Sequence, residues 1–111
     1  MTYSRIDRIN ELIKETLAYI IAEEIDLSPG IFVTVTKVDT SRDLRYARVF
    51  VSVFPENKFG EALRLLGKNI YSIQGKLNRK LSMKPLPRID FVSDKTEAEA
   101  DKIEKILKKI D

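Results

Sequence analysis

This sequence of 111 residues lacks histidine and cysteine, two of the side chains that most often carry out acid–base and nucleophilic chemistry. The chain therefore cannot build a Ser–His–Asp or Cys–His site, a disulfide, or a zinc site with nitrogen or sulfur ligands. What remains is a lysine, or carboxylates that hold a hard metal ion. We expect no catalysis, no cofactor and no metal site.

The carboxylates that come closest to a metal-site pattern are Asp39 and Asp43, on either side of residues 40–42. They leave a metal-dependent nuclease as one hypothesis. The preferred interpretation is a turn, because Asp and Ser side chains hydrogen-bond nearby backbone amides and so favour turns.

Residues 62–88 point to a different chemistry, the binding of a polyanion. This stretch has seven bases and no Asp or Glu, and the remaining chain has thirteen bases against seventeen acids. The formal charge of +3 therefore divides into +7 in this stretch and −4 outside it. A basic surface of one sign typically faces a polyanion such as RNA. The seven bases are Arg64, Lys68, Lys76, Arg79, Lys80, Lys84 and Arg88.

The candidate bases differ in how strongly their positions favour phosphate contact. Four of them cluster on one predicted helix and its exit, and two lie before that helix. Arginines beside a predicted hairpin turn and in the first helix could extend the surface. The alternative is a solvated helix face or, for the hairpin arginines, ion pairs with Asp39 or Asp43. The four clustered bases are Lys76, Arg79, Lys80 and Lys84, and the candidates outside the stretch are Arg5, Arg8, Arg42 and Arg45.

Helix and strand periodicities surround this basic stretch. Residues 4–25 carry apolar residues at helical spacing, with Ser4 as N-cap and Asp7 in the capping-box position. Residues 31–39 and 46–54 alternate and are rich in β-branched side chains, which predicts an antiparallel hairpin. In the first strand, Val33 and Val35 should share one face.

The basic stretch itself predicts two helices, or one sharply bent helix. Gly67 and Gly75 each cost about 1 kcal/mol relative to Ala inside a helix. We expect the bend between Gly67 and Tyr71. At this joint Asn69 and Tyr71 could contact RNA, Tyr71 by stacking; helix capping and core packing are the alternatives. The predicted apolar stripe is Phe59, Ala62, Leu63, Leu66, Ile70, Ile73, Leu77 and Leu81.

Residues 88–92 alternate again and predict a third strand with Ile89 and Phe91 inward, and residues 94–111 predict a final helix. The order helix, strand, strand, helix, helix, strand, helix predicts a single α+β domain over residues 1–111. Its three-stranded sheet should carry helices on one face. On the open face Tyr46 and Phe50 could stack bases, as an alternative to the helical surface. No apolar run approaches the roughly 20 residues that cross a bilayer. We therefore expect a cytoplasmic protein without a membrane partner.

This order of elements resembles the type II KH fold of single-stranded RNA-binding proteins, although the chain has no Gly-x-x-Gly loop. It is similar to the ribosome-binding factor A family, whose KH-like fold lacks that loop. The resemblance covers roughly residues 5–107. It rests on the opening Arg-Ile-Asp-Arg-Ile of residues 5–9, the strand, Ser-x-Asp turn and Ala-x-Val-x-Val strand of residues 33–52, and the Pro-Arg-Ile-Asp-Phe-Val-Ser-Asp of residues 87–94.

One segment departs from the family pattern. The family usually marks the joint between the central helices with Ala-x-Gly, and the matching positions here are Asn69, Ile70 and Tyr71. The joint must then be made in another way, with Gly67 or Gly75, or be absent.

The resemblance implies a non-catalytic assembly factor that binds the immature small (30S) ribosomal subunit. It implies contacts with 16S rRNA near the decoding region and with nearby ribosomal proteins, and a role in 5′-end maturation of that RNA. It also implies a functional link to assembly GTPases, a need for the factor in the cold, and a monomer. The alternative is a protein-interaction module that uses the open sheet face or an edge strand and has no direct RNA role.

Overall fold

The computed structural model describes residues 3–83 and 86–95, and in these ranges three α-helices lie against a three-stranded sheet. The observed order confirms the predicted α-β-β-α-α-β arrangement. Of the predicted final helix, only positions 94 and 95 are described, and both are helical; the rest lies outside the described residues. The elements are α1 (Arg5–Glu24), β1 (Phe32–Thr40), β2 (Tyr46–Phe54), a 3-10 turn (Glu56–Lys58), α2 (Phe59–Lys68), α3 (Ile70–Lys80) and β3 (Arg88–Ser93).

The sheet order is β1-β2-β3, with β2 in the centre. β1 and β2 form the predicted antiparallel hairpin. β3 runs parallel to β2, from the pair Tyr46 and Arg88 to the pair Val51 and Ser93. Because parallel neighbours need a crossover connection, α2 and α3 carry the chain from one end of β2 back to the start of β3.

Helix α1 begins with the predicted capping box. The Ser4 hydroxyl accepts a hydrogen bond from the Asp7 backbone N–H at 3.1 Å, and the Asp7 carboxylate accepts one from the Ser4 N–H at 3.1 Å. Each bond satisfies a backbone donor that the helix start would leave unpaired. The apolar stripe then enters the core through Ile9, Ile13, Leu17, Ile20 and Ile21.

The core lies between the three helices and one face of the sheet. From β2 it receives Ala47, Val49, Val51 and Val53, as the alternation predicts, and from β3 it receives Ile89 and Phe91. The helices α2 and α3 contribute the predicted stripe, whose half-buried members lie at the edge of the core. The fully buried residues of these two helices are Ala62, Leu66, Ile73 and Leu77.

Strand β1 departs from strict alternation. Its register with β2 shifts between Val35 and Lys37, a β-bulge in which the Thr36 hydroxyl donates to the Phe50 carbonyl at 3.2 Å. The bulge brings Val38 to the core side after Val35, three positions along the strand. The period-two prediction for residues 31–39 is therefore wrong beyond Val35, because the extra residue changes the phase of the side chains.

The open sheet face has a buried centre. Phe50 is only 2% exposed, and the Lys37 ammonium and the Arg48 guanidinium each lie 5.5 Å from its ring centroid. Its ring is thus unavailable for base stacking, so the Phe50 part of that alternative is wrong. Tyr46 stays exposed on the same face.

The helices of the described residues include none that is long and apolar enough to span a membrane.

Candidate nucleic-acid interface

The joint between α2 and α3 falls at Asn69, inside the predicted interval 67–71. Asn69 has φ −102° and ψ 11°, which ends α2 and lets α3 begin at the next residue. Its backbone N–H donates to the Leu65 carbonyl at 3.1 Å, and its side-chain Nδ2 donates to the same carbonyl at 2.8 Å. The Leu65 carbonyl thus accepts from both the backbone and the side chain of Asn69, and the second bond ties the side chain back to the last turn of α2.

The joint therefore forms without the family's Ala-x-Gly, and neither nearby glycine makes it. A Cβ added at Gly67 would meet nothing within 4 Å, and one added at Gly75 would lie in ordinary contact with Arg79, 3.5 Å from Nη1. Both glycines lie inside helices, before and after the break. The break falls at Asn69, whose side chain bonds back to the last turn of α2. From the sequence alone, helix capping and RNA contact were both open for this residue.

Helix α3 is fixed to the sheet by Gln74, a residue that the sequence analysis missed. Its Oε1 accepts from the Ile89 backbone N–H at 2.9 Å, and its Nε2 donates to the Pro87 carbonyl at 3.1 Å. These bonds hold the start of β3 against α3. A glutamine beside a buried stripe has no partner that the sequence can identify, so no local signal marks this role.

The three described bases of the α3 cluster differ in their surroundings. Lys76 is only 31% exposed in its side chain and forms an ion pair with Glu24 at the end of α1. The Lys80 ammonium lies 5.0 Å from the centroid of the Tyr19 ring, also on α1. Arg79 is exposed. We call Lys76 and Lys80 the α1-facing pair. The fourth predicted member, Lys84, lies outside the described residues.

A shallow cleft of about 190 Å³ opens between the start of α3 and the start of β3. We call it the joint cleft; Ile70 and Ile89 give it apolar walls, and Tyr71, Gln74 and Arg88 complete the lining. Tyr71 is 90% exposed, the largest exposure among the large apolar side chains of the described residues. The packing alternative for Tyr71 is therefore wrong, whereas its RNA contact stays a prediction.

The hairpin turn brings further arginines toward the start of β3. The Arg88 N–H donates to the Arg45 carbonyl at 2.9 Å, which ties the turn to β3. Arg45 also lies 3.9 Å from Asp43, one of the two predicted pairing options. Arg42 is exposed and has no ion pair among the residues described.

The other predicted bases lie on separate surfaces. Arg64 and Lys68 are exposed on α2, and Arg5 and Arg8 are exposed on the first turns of α1. Asn10 accepts hydrogen bonds from the N–H and the hydroxyl of Thr40, at 3.0 and 2.6 Å, which places the first turns of α1 toward the hairpin end. The predicted bases thus form several groups, and a role in RNA binding stays a prediction for all of them.

The carboxylates of the nuclease hypothesis are used inside the hairpin. Asp39 pairs with Arg48 at 3.1 Å. Asp43 accepts from the Ser41 hydroxyl at 2.7 Å and from the Arg45 N–H at 3.1 Å. The Ser41 hydrogen bond, followed by that of Arg45, lowers the pKa of Asp43 below its ordinary 3.8. These contacts are those of a turn, and the described residues contain no group of three or more carboxylates that could hold a metal ion.

Comparison with known proteins agrees with this architecture. The family model described as ribosome-binding factor A matches residues 5–107. The chain belongs to the ribosome-binding factor A family. The ribosome-binding factor A of Natranaerobius thermophilus is 37% identical over 112 residues, covering 99% of this chain and 85% of the relative.

Solved structures of ribosome-binding factor A have the same KH-like fold. The crystal structure of the factor from Thermus thermophilus matches with a TM-score of 0.71 at 28% identity, covering 81% of this chain and 97% of the other. A homology model of the Thermus thermophilus factor, fitted into a cryo-EM map of a 30S complex, matches with a TM-score of 0.62 at 30% identity. That match covers 75% of this chain and 88% of the fitted one.

Proposed function

We propose that this chain binds the immature small (30S) ribosomal subunit, contacts its 16S rRNA, and assists late maturation and 5′-end processing of that RNA. One observation carries the proposal. A homology model of the Thermus thermophilus factor has been fitted into a cryo-EM map of a 30S complex, and its structural match covers 75% of this chain. The family name itself describes a ribosome-binding protein.

The charge distribution supports contact with RNA through the central helices. Seven bases without an acid lie in residues 62–88, and the described ones are exposed except for the half-buried Lys76. Cations on a surface attract RNA phosphates by releasing condensed counterions, so the attraction weakens with salt. The joint cleft adds an exposed aromatic ring and an arginine to the same part of the fold.

The proposed role is binding without catalysis. The pairing of Asp39 and Asp43 inside the hairpin supports this, because both carboxylates already have partners. We propose that the factor acts in the cytoplasm as a monomer, needs no cofactor, and is functionally linked to assembly GTPases.

A direct test is co-sedimentation with small ribosomal subunits across a salt series. The variant Lys76→Glu/Arg79→Glu/Lys80→Glu reverses three bases of α3. A matched control, Lys37→Glu/Lys58→Glu/Lys95→Glu, makes the same change in net charge outside the basic stretch. Circular dichroism of all three proteins establishes that each variant is folded.

The proposal predicts wild-type binding that falls with salt, loss of binding in the α3 variant, and binding close to wild type in the control. Equal binding by the α3 variant and the wild type would move the RNA contact away from α3. Absence of binding by the wild type itself would refute the ribosome-binding function.

One observation favours a second candidate, a protein-interaction module on the open sheet face. Phe32 and Phe54 face each other across β1 and β2 and are 64% and 69% exposed. Paired exposed aromatic rings can seat a partner protein. Binding to subunit proteins that survives nuclease treatment, is insensitive to salt, and is lost in Phe32→Ser/Phe54→Ser would identify this function.

A further inference from the structure

We infer that the joint cleft binds one unpaired nucleobase, which stacks on the Tyr71 ring while Arg88 contacts the adjacent phosphate. This inference rests on the proposed RNA-binding function and assigns it a specific contact.

The exposure of Tyr71 alone carries little, since single exposed apolar side chains are common. Its surroundings give it meaning. Tyr71 lines the joint cleft together with the apolar residues Ile70 and Ile89. Tyr71 is the second residue of α3, and the buried residue Ile73 and the bonded residue Gln74 fix that helix against the core. A tyrosine on a fixed helix offers a flat contact surface at low conformational cost.

Arg88 supplies the charge that a nucleotide needs beside a stacked base. It is exposed at the start of β3, lines the same cleft, and forms no ion pair with any described residue. A guanidinium group matches the geometry of a phosphate through its fork of N–H donors. Stacking on an aromatic ring together with a nearby cation is the usual arrangement in proteins that bind single-stranded nucleic acids.

The side-chain amide of Gln74, which lines the cleft, already has hydrogen-bond partners. We therefore expect the cleft to bind different bases with similar affinity. The Gln74 amide accepts from Ile89 N–H and donates to the Pro87 carbonyl and to Asn78 Oδ1, the last at 3.0 Å. It therefore has little capacity left to read a base edge. The volume of about 190 Å³ lies below the roughly 300–1,000 Å³ of pockets that enclose small molecules, so the cleft fits one flat ring.

The test uses the full chain and a short single-stranded oligoribonucleotide with one 2-aminopurine, whose fluorescence is quenched by stacking. Tyr71→Phe keeps the aromatic face, and Tyr71→Leu keeps apolar bulk without it. Tyr3→Leu, which removes another exposed tyrosine away from the cleft, is the matched control. A second oligonucleotide with an abasic site at the probe position separates base contacts from phosphate contacts.

We expect Tyr71→Leu to weaken binding by about 5- to 150-fold and to abolish quenching, with Tyr71→Phe within about twofold of wild type. Tyr3→Leu should bind like the wild type, and the abasic probe should bind wild type and Tyr71→Leu equally. Unchanged affinity of Tyr71→Leu, equal affinity of the wild type for the abasic and intact probes, or an equal loss in Tyr3→Leu would overturn the inference. Failure of wild type to bind the oligonucleotide, in a preparation that co-sediments with small subunits, would overturn the cleft assignment and leave the proposed function standing.

Discussion

The α1-facing pair and the joint cleft belong to the same basic stretch but differ in what their charged groups already contact. Lys76 is paired with Glu24, and Lys80 lies over the Tyr19 ring, so both cations are partly satisfied by α1. In the joint cleft, Arg88 is exposed without an ion pair to a described residue, and Tyr71 projects into solvent. An RNA phosphate must compete with Glu24 for Lys76, but it meets no such competitor among the described residues at Arg88. The number of bases in a stretch of sequence therefore overestimates its attraction to RNA when an acid on another element already pairs with one of those bases.

The largest expected effect is a loss of stability when helix α3, which carries residues of both regions, is weakened in the core. Ile73 is fully buried in α3 between them. Ile73→Ala should lower the free energy of unfolding by about 2–5 kcal/mol, because it removes buried methylene groups and leaves a cavity. Urea unfolding followed by circular dichroism measures the change. Ser72→Ala, at the exposed neighbouring position, is the control and should stay close to wild type.

A substitution at Gln74 should have a smaller effect on stability and should affect the joint cleft but not the α1-facing pair. Gln74→Leu removes the acceptor of the Ile89 N–H and the donor to the Pro87 carbonyl, and should cost about 1–3 kcal/mol of stability. Amide hydrogen exchange should accelerate at Ile89, whereas the exchange rates of the Lys76 and Glu24 backbone amides should stay unchanged. Uniform acceleration over α1 and α3 would contradict a local role for Gln74.

The ion pair of the α1-facing region predicts a gain of binding. Glu24→Gln removes the anion that competes for Lys76, so affinity for small subunits should rise and the salt dependence should steepen by about one phosphate contact. The stability cost should be about 0.2–1 kcal/mol, as for ion pairs near the surface.

Glu23→Gln is the matched control for this prediction. Glu23 is the exposed neighbour of Glu24, and its substitution changes the net charge by the same amount. Equal gains in both variants would indicate a general charge effect and remove the special role of the ion pair.

The smallest effect concerns the hairpin turn beside the joint cleft. The pKa of Asp43 is lowered in the folded state by the Ser41 and Arg45 hydrogen bonds. The ionised carboxylate therefore stabilises the turn fully above its ordinary pKa of 3.8, and this contribution is lost as pH falls through the lower folded value. NMR titration of the Asp43 carboxyl carbon should give a midpoint below 3.8, and Asp43→Asn should flatten the pH dependence of stability in that window. A midpoint at or above 3.8 would contradict the hydrogen-bonded turn.

Local patterns in the sequence were enough to predict much of this fold. The Ser4 and Asp7 capping box, the buried face of β2, and a helix break near Asn69 follow from residues close together in the chain. The bulge at Thr36 was not predicted, because an extra residue in a strand leaves the β-branched composition unchanged. The buried centre of the open face was also missed, since Phe50 alternates with core-facing residues and the sequence does not show what covers it.

The candidate site was less predictable for the same reason. The basic stretch was visible as composition, but the partner of Lys76 lies on α1 and the partners of Gln74 lie on β3 and just before it. Such contacts depend on how elements pack, which no window of the sequence contains. The exposure of Tyr71 likewise became evident only when α3 was placed against β3.

Co-sedimentation with small ribosomal subunits across a salt series, for the wild type, Arg88→Gln and Lys76→Gln, tests the comparison most directly. Each variant removes one cation, so a full phosphate contact should reduce the slope of log affinity against log salt by about one. We predict that reduction for Arg88→Gln and a clearly smaller one for Lys76→Gln. A larger reduction for Lys76→Gln than for Arg88→Gln would contradict the account.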